Sequence, residues 1–151
     1  MIIVVDFDDT VATSDPYPWD EDEALALRPG AAEALRALRA AGHVLLLSSA
    51  RSNMAHRLDW RLNPLWVSGA VRFDLERWRR QHEAGVWEKA HRRMEEFVAR
   101  ELPGVFHAVD QGLQGKPGGD LYLDDKGFRM AHGASWARVA ELYGEADDAQ
   151  G

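Results

Sequence analysis

A chain of 151 residues, 46% hydrophobic and 28% charged, has the length and balance of one soluble domain with a sizeable core. It has no cysteine, which excludes disulfides, thiolate metal centres and a cysteine nucleophile and fits a reducing compartment. The net charge of −7 argues against bulk binding to phosphate backbones, and no apolar run approaches the roughly 20 residues of a membrane span.

The chain opens on a short apolar run, Ile2 to Val5, β-branched throughout and too short for a helix, which predicts a buried strand. Met1 leads straight into it with no basic stretch, so a cytoplasmic rather than a secreted protein is expected. The strand runs into three carboxylates, Asp6, Asp8 and Asp9, followed by Thr10. In an extended chain Asp6 and Asp8 would face the same side, an unfavourable arrangement without a cation or a proton between them.

Residues 11–26 read as a loop with Pro16, Pro18 and an acidic cluster at Asp20, Glu21, Asp22 and Glu23. Pro29 and Gly30 open a helix carrying Ala31, Leu35 and Leu38 at helical spacing, and Gly42 stops it. Val44 to Leu47 is a second buried strand ending in Ser48, Ser49, Ala50 and Arg51. A helix is predicted from Asn53 to about Leu62, broken by Pro64. Residues 65–73 fit a short strand or a packed loop equally well. Helical pattern resumes from Asp74 to Leu102, interrupted at Gly85. Val105 to Val109 reads as a third strand, and a glycine-rich loop around Lys116 leads to a fourth, Leu121 to Leu123, which ends in Asp124 and Asp125. A last helix covers about Ser135 to Leu142, and the acidic tail 144–151 is expected to be disordered, leaving one domain over residues 1–143.

Strands alternating with helices predict an α/β fold, a Rossmann-like parallel sheet with helices on both faces. Three of the four strands then end in polar residues along one edge: Asp6, Asp8 and Thr10; Ser48 and Ser49; Asp124 and Asp125. Such edges are where ligands bind in open α/β sheets. Carboxylates, a hydroxyl and the Lys116 ammonium together suit a phosphoryl group, and oxygen-only ligands favour Mg²⁺. Residues 51–100 carry 11 Lys+Arg against 7 Asp+Glu, and the rest of the chain 7 against 18. That excess fits either solvated helix faces or a basic wall facing an anionic substrate.

These residues resemble the haloacid dehalogenase-like (HAD) hydrolases. Asp6-Phe-Asp8-Asp9-Thr10 is similar to the family's first motif, Ser49 to its second, Lys116 to its third and the Asp124-Asp125 pair to its fourth, in order from residue 2 to about 128. Ser49-Ala50-Arg51 also resembles the Ser/Thr-x-Arg of small polynucleotide 3′-phosphatase-like members. The resemblance implies a capless, Mg²⁺-dependent phosphatase. Asp6 would be the nucleophile and Asp8 the general acid and base; Ser49 and Lys116 would contact the phosphoryl oxygens. Asp6, Asp8 (through its backbone carbonyl), Asp124 and Asp125 would serve the metal. Arg51 would contact the substrate or form a surface ion pair.

Plainer roles stand beside these: Ser49 as a helix cap, Lys116 as a loop charge, Asp125 as a turn former, Thr10 as a shaper of its loop. The six tryptophans fit packing, with Trp19 alone placed to reach a site. A receiver-type signalling domain would use similar residues, but no Asp ends the second strand and the acidic pair follows the lysine. A non-catalytic scaffold on a HAD-like fold is the remaining alternative. With no separate cap domain evident, an open site is expected, suited to a phosphorylated substrate as large as a nucleic-acid end or as small as a nucleotide.

Overall fold

The computed structural model describes residues 1–15, 22–52, 80, 83–112, 116–124 and 136–144. Expectations for Asp125, Trp19, Trp60, Trp66, Trp78, the helix from Asn53, segment 65–73 and the acidic tail from residue 145 lie outside these residues.

Four strands form one parallel sheet: β1 (Ile2–Val5), β4 (Val44–Leu47), β5 (Ala108–Val109) and β6 (Leu121–Leu123), in the order β5-β4-β1-β6. Apolar β1 takes the centre because both its faces can be covered. Val4 and Val5 point to opposite faces, and each is at most 1% exposed. The expected α/β class with a parallel sheet flanked by helices is therefore what the chain adopts. Helix α1 (Ala31–Ala40) packs against α3 (Trp136–Tyr143), while α2 (Val86–Glu101) puts Met94, Phe97 and Val98 into the core, Phe97 meeting Phe7 edge-on at 5.9 Å. Among the described residues, no helix is long and apolar enough to cross a membrane.

Three expectations are corrected. Residues 11–26 are not merely a loop: β2 (Ala12–Asp15) and β3 (Ala24–Leu27) pair antiparallel, with Leu25 and Leu27 packed on the core. The period-2 alternation of Ala24-Leu25-Ala26-Leu27 carries that signal, but Ala and Leu are also strong helix formers. The third strand is shorter than Val105–Val109, because the Leu45 amide donates to His107 Nδ1 (3.0 Å) rather than to a backbone carbonyl. Pro29 stands just ahead of the first helical turn; Gly30 is the cap residue, with φ +79°.

The loop bearing Lys116 is seated on the sheet through Gly119. A Cβ there would lie 2.6 Å from Val4 Cγ2 and 3.3 Å from the Ile2 carbonyl oxygen. Gly119→Ala is expected to cost about 1–3 kcal/mol through overpacking, read as a lower denaturation midpoint. An unchanged midpoint would mean the loop can lift away freely.

Candidate functional site

Parallel register brings the strand ends together. Val5 pairs with Leu47 on one side and Leu123 on the other, so the next residues along, Asp6, Ser48 and Asp124, occupy adjacent rungs. Backbone bonds extend the ladder past the strands: Asp6 N–H donates to Leu123 O (2.9 Å), Ser48 N–H to Val5 O (2.9 Å) and Asp110 N–H to Leu47 O (2.7 Å). Asp110, absent from the sequence reading, gives the third strand, β5, a polar end as well. Its carboxylate accepts from Ser48 Oγ (3.1 Å). The rule that selects Asp6, an acid directly after a strand, could have found it.

Past Asp6 the chain leaves the extended conformation. The Phe7 carbonyl accepts the amides of Thr10, Val11 and Ala12, Asp9 adopts φ +58°, and fully buried Phe7 pins the turn from below. Trp136 Nε1 donates to the Thr10 carbonyl (3.0 Å), so α3 holds the same turn. Trp136 and Trp87 are buried, the packing role expected of them. The alternating-strand picture of Asp6 and Asp8 therefore stops at Asp6. The Asp8 side chain is positioned instead by Ser49 and Arg51.

Arg51 is the centre of that arrangement. Its Nε donates to both Asp8 oxygens (3.0 and 3.1 Å) and its Nη2 to Asp8 Oδ1 (2.7 Å). On the far side Nη1 and Nη2 donate to the two oxygens of Glu23 (2.5 and 2.9 Å), with further bonds to the Ala90 carbonyl and Ser14 Oγ. The guanidinium lies 5.1 Å from the Phe7 ring centroid. Burial alone pulls the Arg51 pKa down, but hydrogen bonds and charge attraction from Glu23 and Asp8 outweigh it and leave the pKa above its ordinary value. Arg51 is wholly buried, which corrects its expected role. It is neither a surface ion pair nor, in this conformation, available to a substrate. Glu23, also missed, gives no local signal: it reads as one more acid in a polar loop.

Ser49 takes the plainer of the two roles considered for it, with a bond to Asp8 besides. Its Oγ accepts the Arg51 amide (3.1 Å) as a cap on the helical turn starting at Ala50, and donates to Asp8 Oδ2 (3.3 Å). Lys116 Nζ donates to Asp124 Oδ2 (3.1 Å) and lies 4.9 Å from the Tyr122 ring centroid, so the loop lysine turns toward the sheet edge. Below the edge, buried His91 joins Ser52 Oγ (3.1 Å) to Gln111 Oε1 (3.3 Å), tying α2 to the segment after β5.

As metal ligands, Asp6 and Asp124 fit: adjacent rungs carry two carboxylates, the oxygen donors a hard cation takes. The Asp8 carboxylate is engaged by Arg51, which leaves the backbone carbonyl expected to serve the metal untouched. Among the described residues, no three acidic or histidine side chains form a metal-holding group. Compared with protein-family models, with curated proteins and with solved structures, the chain matches none.

Proposed function

We propose that this chain is a HAD-like phosphatase hydrolysing phosphate monoesters through an aspartyl-phosphate on Asp6. One observation carries the reading. Parallel register sets Asp6, Ser48 and Asp124 on adjacent rungs, with Ser49 bonded to Asp8 and Lys116 to Asp124, although these residues span 118 positions of the chain. An Asp6 oxygen would attack phosphorus as the ester oxygen departs, dividing one difficult displacement into two. Asp8, an anion in the pair with Arg51, would first take up a proton from solvent through its exposed side, give it to that oxygen, then take one from the water that cleaves the aspartyl-phosphate. Ser49 Oγ and Lys116 Nζ would meet the phosphoryl oxygens. A Mg²⁺ ion held by Asp6 and Asp124 would supply further positive charge to those oxygens.

The proposal is tested with p-nitrophenyl phosphate and Mg²⁺: hydrolysis that disappears with chelator supports it, and an inactive wild type overturns it. A non-catalytic scaffold would give that second result. Helix α2 packs into the core, and among the described residues the β2–β3 hairpin lies beside the site, through Ser14 and Glu23 on Arg51.

Lys116 separates function from stability. Its pair with Asp124 is half exposed, worth about 0.2–1 kcal/mol at most. Lys116→Gln is therefore expected to leave the unfolding midpoint almost unchanged while kcat falls on the order of 10²-fold. Equal, small losses in both would make Lys116 an ordinary loop charge.

A further inference from the structure

The buried carboxylate of Glu23 has no place in the chemistry above, and it lies on the hairpin rather than at the sheet edge. Burying a carboxylate is costly unless it is paired, so its position calls for an explanation. Its side chain is 0% exposed and it accepts from two guanidinium groups, that of Arg51 at 2.5 and 2.9 Å and that of Arg93 on α2 at 2.9 Å. We propose that Glu23 is a positioning residue for Asp8, acting through Arg51. Asp8 is thereby aimed at phosphate monoesters whose leaving alkoxide needs a proton. This inference rests on the phosphatase reading.

The geometry runs in one direction. A guanidinium is a rigid plane with five donors, so fixing one edge fixes the other. Glu23 holds the Nη1–Nη2 edge of Arg51, and the Nε–Nη2 edge then sets the plane of the Asp8 carboxylate. Arg93 in turn anchors Glu23 to α2. Among the described residues the cluster holds two guanidinium groups and two carboxylates, and of those acids Asp8 is the one open to solvent, with a side chain 19% exposed. The cluster thus ends in a held carboxylate beside Ser49. A rigidly aimed acid matters where the departing oxygen is a poor leaving group and is superfluous where the leaving phenolate is stable without a proton.

The test compares kcat/KM for β-glycerol phosphate, an alkyl ester, and 2,4-dinitrophenyl phosphate in wild type, Glu23→Gln and Arg51→Lys. Gln at 23 would turn an amide N–H toward Arg51, and Lys at 51 would keep the charge without the fork. Each variant is expected to lose on the order of 10²-fold with the alkyl ester and to stay within about threefold with the dinitrophenyl ester. The ratio of the two rates does not depend on how much of a preparation is folded, so partial unfolding leaves it readable. Equal losses on both substrates overturn the positioning role while leaving the phosphatase reading intact. A wild type inactive on both esters overturns the two together.

Discussion

An Asp6→Asn protein is expected to lose p-nitrophenyl phosphatase activity by at least about 10³-fold, the scale on which removing a covalent nucleophile acts. Little else should change. The replacement is isosteric, and it keeps the backbone bond from the residue 6 amide to Leu123 O. The unfolding midpoint should therefore stay near that of wild type, and incubation with substrate should leave no acid-stable phosphate on the variant protein. Wild type, quenched in acid during turnover, should carry a phosphoryl group that hydroxylamine removes. Activity persisting in Asp6→Asn would take the nucleophile away from Asp6, and with it the assigned roles of Asp8 and Lys116.

Arg51→Met is expected to be the most damaging single change to stability, about 3–5 kcal/mol, because it strands the wholly buried Glu23 and the mostly buried Asp8 as anions. In a chain of this size that corresponds to a fall in melting temperature on the order of 10 °C. The lost attraction is only part of the cost. Most of it is the penalty of leaving charge in a poorly solvated place, and among the described residues Arg93 reaches Glu23 but not Asp8. Combining Arg51→Met with Glu23→Gln should accordingly cost less than the two changes added separately. If guanidinium denaturation gives a loss below about 1 kcal/mol, the cluster behaves like a solvated surface pair and anchors nothing.

Strand ends were legible because the signals are local. Ile2 to Val5 and Val44 to Leu47 are short β-branched or aliphatic runs bounded by polar residues, and a parallel sheet necessarily aligns the residues just past their ends. Pairing of side chains was not legible. Arg51 finds Asp8 across 43 positions and Glu23 across 28, and nothing in the Ser49-Ala50-Arg51 triplet says whether its arginine faces water or core. The hairpin was missed for a different reason: Ala24 to Leu27 carries two periodicities at once, and only pairing with Ala12 to Asp15 selects the extended one.

By itself, the sequence determined an α/β chain whose strands end in carboxylates, hydroxyls and a nearby lysine, because element type and side-chain alternation depend on neighbours a few residues away. Only the tertiary structure decided that Asp6 and Asp124 share adjacent rungs, that Asp110 joins them, and that Arg51 turns inward between Asp8 and Glu23. Those outcomes depend on strand order and on which charges are desolvated together, and both are set by packing between segments far apart in the chain.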